Sequence, residues 1–123
     1  MKIAKVNVAD KLAMVTEPWV PTIVGELNGQ YLKVVKFVGE YVWHAHADED
    51  EMFMVVRGSV RICLRDRDIE LGEGELCVVP RGVEHKPVAD EEAHVLLFAP
   101  VGTRNTGDVD HDYTIEADDL PRA

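Results

Sequence analysis

The segment GEYVWHAHADEDEMFMVVRG, running from Gly39 to Gly58, decides how the rest of this chain is read. It joins a histidine pair, His44 and His46, to a carboxylate, Glu51, that opens the apolar run Met52-Phe53-Met54-Val55-Val56. Positions i and i+2 of a β-strand point to one face, so on a strand His44 and His46 present two imidazoles side by side to one point. With Glu51 pointing inward, Phe53 and Val55 share its face and form an apolar wall beside it. Met52, Met54 and Val56 then fall on the outer face. A run that is apolar on both faces needs cover, either from a second layer of the same chain or from a partner subunit.

Outward from this segment the chain alternates short apolar runs with turn residues. Leu32 to Val38, Met52 to Val56, Val60 to Leu64, Leu76 to Val79 and Val95 to Ala99 read as strands. Asn28-Gly29, Gly58-Ser59, Gly72-Glu73-Gly74 and Pro80-Arg81-Gly82 punctuate them as hairpins and turns. Val60, Ile62 and Leu64 alternate with Arg61 and Arg65, the pattern of a strand with one wet face. The fold class is therefore all-β: a sandwich, barrel or jelly roll. Residues 1–25 are expected to form an N-terminal arm, in which Ala9 to Val15 is a helical turn or a strand and Pro18 and Pro21 break what precedes them. Residues 101–123 form an acidic, turn-rich C-terminal tail that either wraps the barrel or frays. Nothing repeats with the period of a solenoid or propeller, so residues 1–123 are read as one domain.

Composition narrows the function classes. The 123 residues carry 23 acidic and 13 basic side chains, a formal charge of −10, which argues against a nucleic-acid interface built on clustered Lys and Arg. No apolar run approaches the roughly 20 residues that cross a bilayer, and the N-terminus lacks the order of a signal peptide, so a cytoplasmic protein that binds no membrane is expected. Cys63 and Cys77 are the two cysteines; their spacing fits no redox or metal pair, and they are read as packing residues.

Two imidazoles and a carboxylate suit a first-row divalent ion, and His85, on a separate segment, would complete a set of three nitrogens and one oxygen. Such a set matches Fe, Mn, Ni, Cu or Zn better than Mg or Ca, whose shells are oxygen. Alone, an H-x-H pair on a strand is more often exposed than ligating. The spacing changes the weight. From His46 four residues lead to Glu51 and six more to Gly58; from Gly74 five lead to Pro80, one to Gly82 and two to His85. These offsets resemble the two motifs of the cupin superfamily, G-x5-H-x-H-x(3,4)-E-x6-G and G-x5-P-x-G-x2-H-x3-N. The chain departs from them twice: four residues rather than five precede His44, which suggests a tighter turn, and Ala89 stands where the family has Asn.

The resemblance implies a small single-domain cupin, similar to those described as mannose-6-phosphate isomerase-like: a double-stranded β-helix, or jelly-roll barrel, with His44, His46, Glu51 and His85 as metal ligands. It also implies a small-molecule ligand and, by analogy with many small cupins, a homodimer, for which Met52, Met54 and Val56 are the candidate surface. Phe53, Val55 and Arg81 are candidate substrate contacts, Arg81 as a clamp for a carboxylate or phosphate. Tyr41 and Trp43, out of phase with the histidines, are expected to face away from the metal. His94 is placed either in the pocket or outside it, and His111 in a solvated tail. Cupins with this ligand set look like dioxygenases, decarboxylases, isomerases and epimerases, so the sequence favours a metalloenzyme acting on a small organic acid, diketone or sugar, with a non-catalytic binding or sensory module as the alternative. No catalytic residue beyond the ligands is identifiable from sequence.

Overall fold

The computed structural model describes residues 3–123. Seven antiparallel strands form the body: β1 (Thr22–Leu27), β2 (Gln30–Glu40), β3 (Glu51–Arg57), β4 (Val60–Cys63), β5 (Asp68–Leu71), β6 (Leu76–Val79) and β7 (Lys86–Pro100). They pair in the order β1-β2-β7-β3-β6, while β4 joins β5 to the first part of β7. The long strand β7 unites these pairings: Lys86, Pro87 and Val88 lie against β4, and His94 to Phe98 lie between β2 and β3. Asn28 and Gly29 both take positive φ, 51° and 76°, the twist that a two-residue hairpin between β1 and β2 demands.

All five expected strands are present. β1 and β5 are additional, and so is the first half of β7. β1 begins at Thr22, so the N-terminal arm ends before residue 25; two prolines and Gly25 hide this strand in the sequence. β5 is only four residues, two of them acidic, and Pro87 with Asp90-Glu91-Glu92 masks the start of β7.

β3 alternates as expected: Glu51, Phe53 and Val55 are buried, while Met52, Met54 and Val56 are half-buried. Val35, Phe37, Phe53, Val55, Val60, Ile62, Val95 and Leu97 meet inside the barrel as its main core. The arm contributes a short helix, α1 (Val8–Ala13), capped by Asn7, whose side chain accepts from the Asp10 N–H. Leu12 of α1 packs with Val15, Val34, Val56 and Leu96 on the outer face, so the arm covers the Val56 end of the Met52-Met54-Val56 stripe.

The C-terminal tail wraps the barrel. Arg122 bridges to Ile23, and Leu120 packs on Ile23 and Tyr31. Arg104 ties the tail to itself, donating to the carbonyls of Gly107 and Val109 and pairing with Asp110 and Glu116.

Candidate metal centre

His44 and His46 sit on an extended segment between β2 and β3 rather than within a strand, and two backbone hydrogen bonds fix their place. His44 N–H donates to His85 O at 3.0 Å and His85 N–H returns to His44 O at 2.9 Å, so the two motif segments are clamped together at their histidines. Gly82 N–H donates to His46 O at 2.8 Å, which fixes the turn before His85 against the second histidine. Glu51 is the first residue of β3 and is held in register opposite Val79.

The side chains of His44, His46, Glu51 and His85 are all buried, and one donor atom from each lies within 4.8 Å of the others. Nε2 of His46 stands 3.3 Å from Glu51 Oε1, and Nε2 of His85 stands 3.8 Å from it. Nδ1–H of His44 donates to Val42 O at 2.8 Å, and Nδ1–H of His85 donates to Val83 O at 2.9 Å. A carbonyl only accepts, so each of these rings carries its proton on Nδ1 and, when neutral, turns the Nε2 lone pair inward. Nε2 of His85 and both ring nitrogens of His46 are buried without a hydrogen-bond partner. Unpartnered buried nitrogens facing a carboxylate are costly unless something else satisfies them. The four donors together form a set able to hold a metal ion, with the outer hydrogen bonds orienting two imidazoles as metal ligands are usually oriented.

Electrostatics fits the same use. Burial, then the neighbouring His85, pushes His44 down to about 4, so its ring stays neutral at ordinary pH. For Glu51 burial acts to raise the pKa, but His46, His85 and Lys33 together outweigh it and hold the carboxyl below its usual range. The centre thus offers a neutral His44 imidazole and an ionised Glu51 carboxylate, the protonation states a cation needs.

A narrow cavity of about 20 Å³ adjoins His44 and Glu51, little more than a water fills. Trp19, Phe37, Tyr41, Phe53 and Leu97 make its apolar wall, and Lys33 and Asn105 its polar part. Phe53 lines the cavity, edge-on to His85 with centroids 5.8 Å apart. Val55 is fully buried in the core away from the cavity lining, and Arg81 is exposed, pairing with Asp50 at 3.3 Å. His94 is outside, against Glu92, and His111 is exposed in the tail beside Tyr113.

Tyr41 does not face away from the site. It lines the cavity with its ring edge-on to His44 at 5.5 Å and stacks between Trp19 and Tyr113. A register shift between Phe37 and Gly39 and the loss of regular pairing after Glu40 break the alternation on which the opposite expectation rests. Trp43 does turn outward, beneath the Arg65 guanidinium at 3.8 Å.

Three contributors escaped the sequence reading. Trp19, buried with φ 65°, is held by its N–H to Lys36 O and its Nε1–H to Val38 O. Its only signal is an aromatic between two prolines. The tail supplies Asn105, and Ala45 between the two histidines is clamped to Asp108, whose Oδ1 accepts from Ala45 N–H at 3.0 Å and whose N–H donates to Ala45 O at 3.1 Å. Gly107, at φ 56°, allows this approach, because a Cβ there would overlap the Ala45 carbonyl. Lys33, 1% exposed, alternates inward with Val35 and Phe37, a period-2 signal visible in the run Leu32 to Val38. Burial lowers its pKa, against a raising pull from Glu51.

Comparison with known proteins places the fold. The cupin domain matches residues 35–99. Uncharacterized protein YdbB of Bacillus subtilis (strain 168) is 33% identical over 64 residues, which are 51% of this chain and 57% of that protein. A cupin-2 domain containing protein from Shewanella frigidimarina NCIMB 400 is 44% identical, with a TM-score of 0.76 over 77% of this chain and 93% of that one. Protein NMB1881 from Neisseria meningitidis is 30% identical, with a TM-score of 0.73 over 79% of this chain and 99% of that one. An all-β barrel carrying both motif segments and matched over more than half its length by the domain leads to one conclusion: the chain belongs to the cupin family.

Proposed function

We propose that this cupin is a metal-dependent enzyme acting on a small organic acid, diketone or sugar, through a dioxygenase, isomerase or related reaction. The observation that supports this reading is the convergence of four buried donors within 4.8 Å, with ring nitrogens of His46 and His85 left unpartnered. His44, His46, Glu51 and His85 would hold a divalent first-row ion, Fe, Mn, Ni, Cu or Zn, since three nitrogens and one oxygen suit these better than Mg or Ca. When bound, the ion supplies Lewis acidity or, as Fe or Cu, redox chemistry, with positions open to a ligand. One carboxylate leaves a divalent site at net +1, which favours anionic or enolisable ligands. Phe53, Phe37 and Trp19 exclude water from the cavity, and Val42 O and Val83 O hold the protons of His44 and His85 away from it. Val55 supports Phe53 from within the core, and Arg81 steers anions only from the surface. The predominantly apolar walls equally suit a module that captures a ligand without turning it over, which is the second reading.

The decisive experiment is metal analysis of wild type, His46→Ala and His111→Ala, followed by turnover and oxygen-uptake assays with small carboxylates and diketones. Loss of metal in His46→Ala alone supports the centre, and equal occupancy in all three removes it. Product from any compound supports the enzyme; metal-dependent binding without product favours the binding module.

We further propose a cytoplasmic homodimer. Met52 and Met54 continue across β6 into Leu76 and Val78, which are 51% and 55% exposed, and a two-fold interface would bury this strip. Among the described residues no helix is long and apolar enough to cross a membrane, and both cysteines are free, which fits a reducing compartment. Light scattering should give twice the chain mass for wild type and the monomer mass for Val78→Glu; a monomeric wild type removes the dimer.

A further inference from the structure

Lys33 borders the cavity beside the candidate metal centre. β2 turns it inward in phase with Val35 and Phe37, toward the face that also receives Phe53 and Leu97. At 1% exposure its stem is entirely enclosed, and among the described residues its Nζ takes part in none of the ion pairs or hydrogen bonds found. Lysine is almost never fully buried without a partner, and Met or Leu would fill the same volume without desolvating a charge. The amine can therefore take a partner on the cavity side, and charge counting says what kind.

Glu51 is the counter-charge that acts on Lys33, pulling its pKa up against burial. An ion on the three histidines and Glu51 takes that carboxylate for itself. The occupied centre then stands at about +1, and Lys33, whose pKa burial lowers, holds its charge in the same enclosure only with an anion beside it. Neither Asn105 nor Tyr41, the other polar groups on the wall, brings a negative charge at neutral pH: burial raises the Tyr41 pKa further from that range.

Resting on the metal-centre reading above, we infer that Lys33 is a positioning and specificity residue that holds an anionic oxygen of the ligand, while a second oxygen of the same molecule occupies the ion. The ligand class is a small compound carrying two oxygen-bearing anionic or enolisable groups, in preference to a simple monocarboxylate. A cavity of about 20 Å³ requires few atoms or an outward swing of the Tyr41–Tyr113 stack on entry.

Metal and ligand respond to the loss of Lys33 in opposite directions. Removing a positive charge beside a cation strengthens metal binding, whereas removing a ligand anchor weakens ligand binding. Wild type, Lys33→Met and Lys33→Gln, each loaded with Mn(II), are titrated calorimetrically with malonate and with acetate, and metal content and thermal melting are measured before and after. The expected result is at least tenfold tighter binding of malonate than of acetate by wild type. The variants should lose that preference while retaining metal with equal or higher affinity. Two folded, metal-replete variants that bind malonate as wild type does overturn the role of Lys33, and so does a metal-loaded wild type with no preference for malonate, a result that needs no variant. In both cases the metal centre stands. A wild type that takes up no metal sinks the centre itself, and this inference falls with it.

Discussion

Acidifying the chelated protein tests the burial of His44. In the folded chain the ring is held down at about 4, whereas an exposed histidine titrates near 6.5. Between these values the unfolded chain binds a proton that the folded chain rejects, so protonation pulls the equilibrium toward unfolding. The stability is fully present above about pH 6.5 and is lost as pH falls toward 4. A shift of this size is worth about 2 kcal/mol by pH 5 and about 3 kcal/mol by pH 4. Glu51 does not confuse the window: its carboxyl is held below the usual range, so what it contributes is lost only below about pH 4.5. Urea unfolding followed by tryptophan fluorescence at pH 7, 6 and 5 gives the profile for wild type and for His44→Gln. The variant should lose about 2 kcal/mol less than wild type between pH 7 and pH 5. Parallel profiles would refute the argument that burial keeps this ring neutral.

Other outcomes follow from the same structure. A metal at 100 times its dissociation constant should stabilise the chain by about 2.7 kcal/mol, a rise of about 10 °C in Tm for a domain of this size that a chelator reverses; no shift would contradict a preformed centre. Gly107→Ala forces a side chain against the Ala45 carbonyl at positive φ and should cost about 1–3 kcal/mol while making the tail easier for protease to cut, whereas unchanged digestion would show that the Asp108–Ala45 clamp does not secure the tail. Ile62→Ala, at a fully buried position, should cost about 2–5 kcal/mol in denaturant unfolding, and a loss under 1 kcal/mol would mean that β4 is not part of the cooperative core.

Much of this was legible in the sequence because the site is written in two compact motifs. Glu51, Phe53 and Val55 alternate as a strand requires, and the spacing of His44, His46 and His85 was enough to place all four candidate ligands in one buried group. What was not legible depends on long-range contacts. Tyr41 turns inward because β2 slips at Gly39 and the chain then leaves regular pairing, which no local period announces. Asn105 and Trp19 reach the cavity from the tail and the arm, segments whose turn-rich and proline-rich composition shows only that they are not strands. Lys33 is different: it shares the period of Val35 and Phe37, but a lysine is so rarely buried that its residue type masks its inward place.

The central claim is that His44, His46, Glu51 and His85 hold one metal ion, and crystals grown with Mn(II) or Zn(II) and measured at that metal's absorption edge test it most directly. The expected result is a single anomalous peak per chain among these four residues, with each ligand atom about 2.0–2.3 Å from it. An ordered ion elsewhere with this centre empty, or the four side chains turned away from one another at full metal saturation, would contradict it.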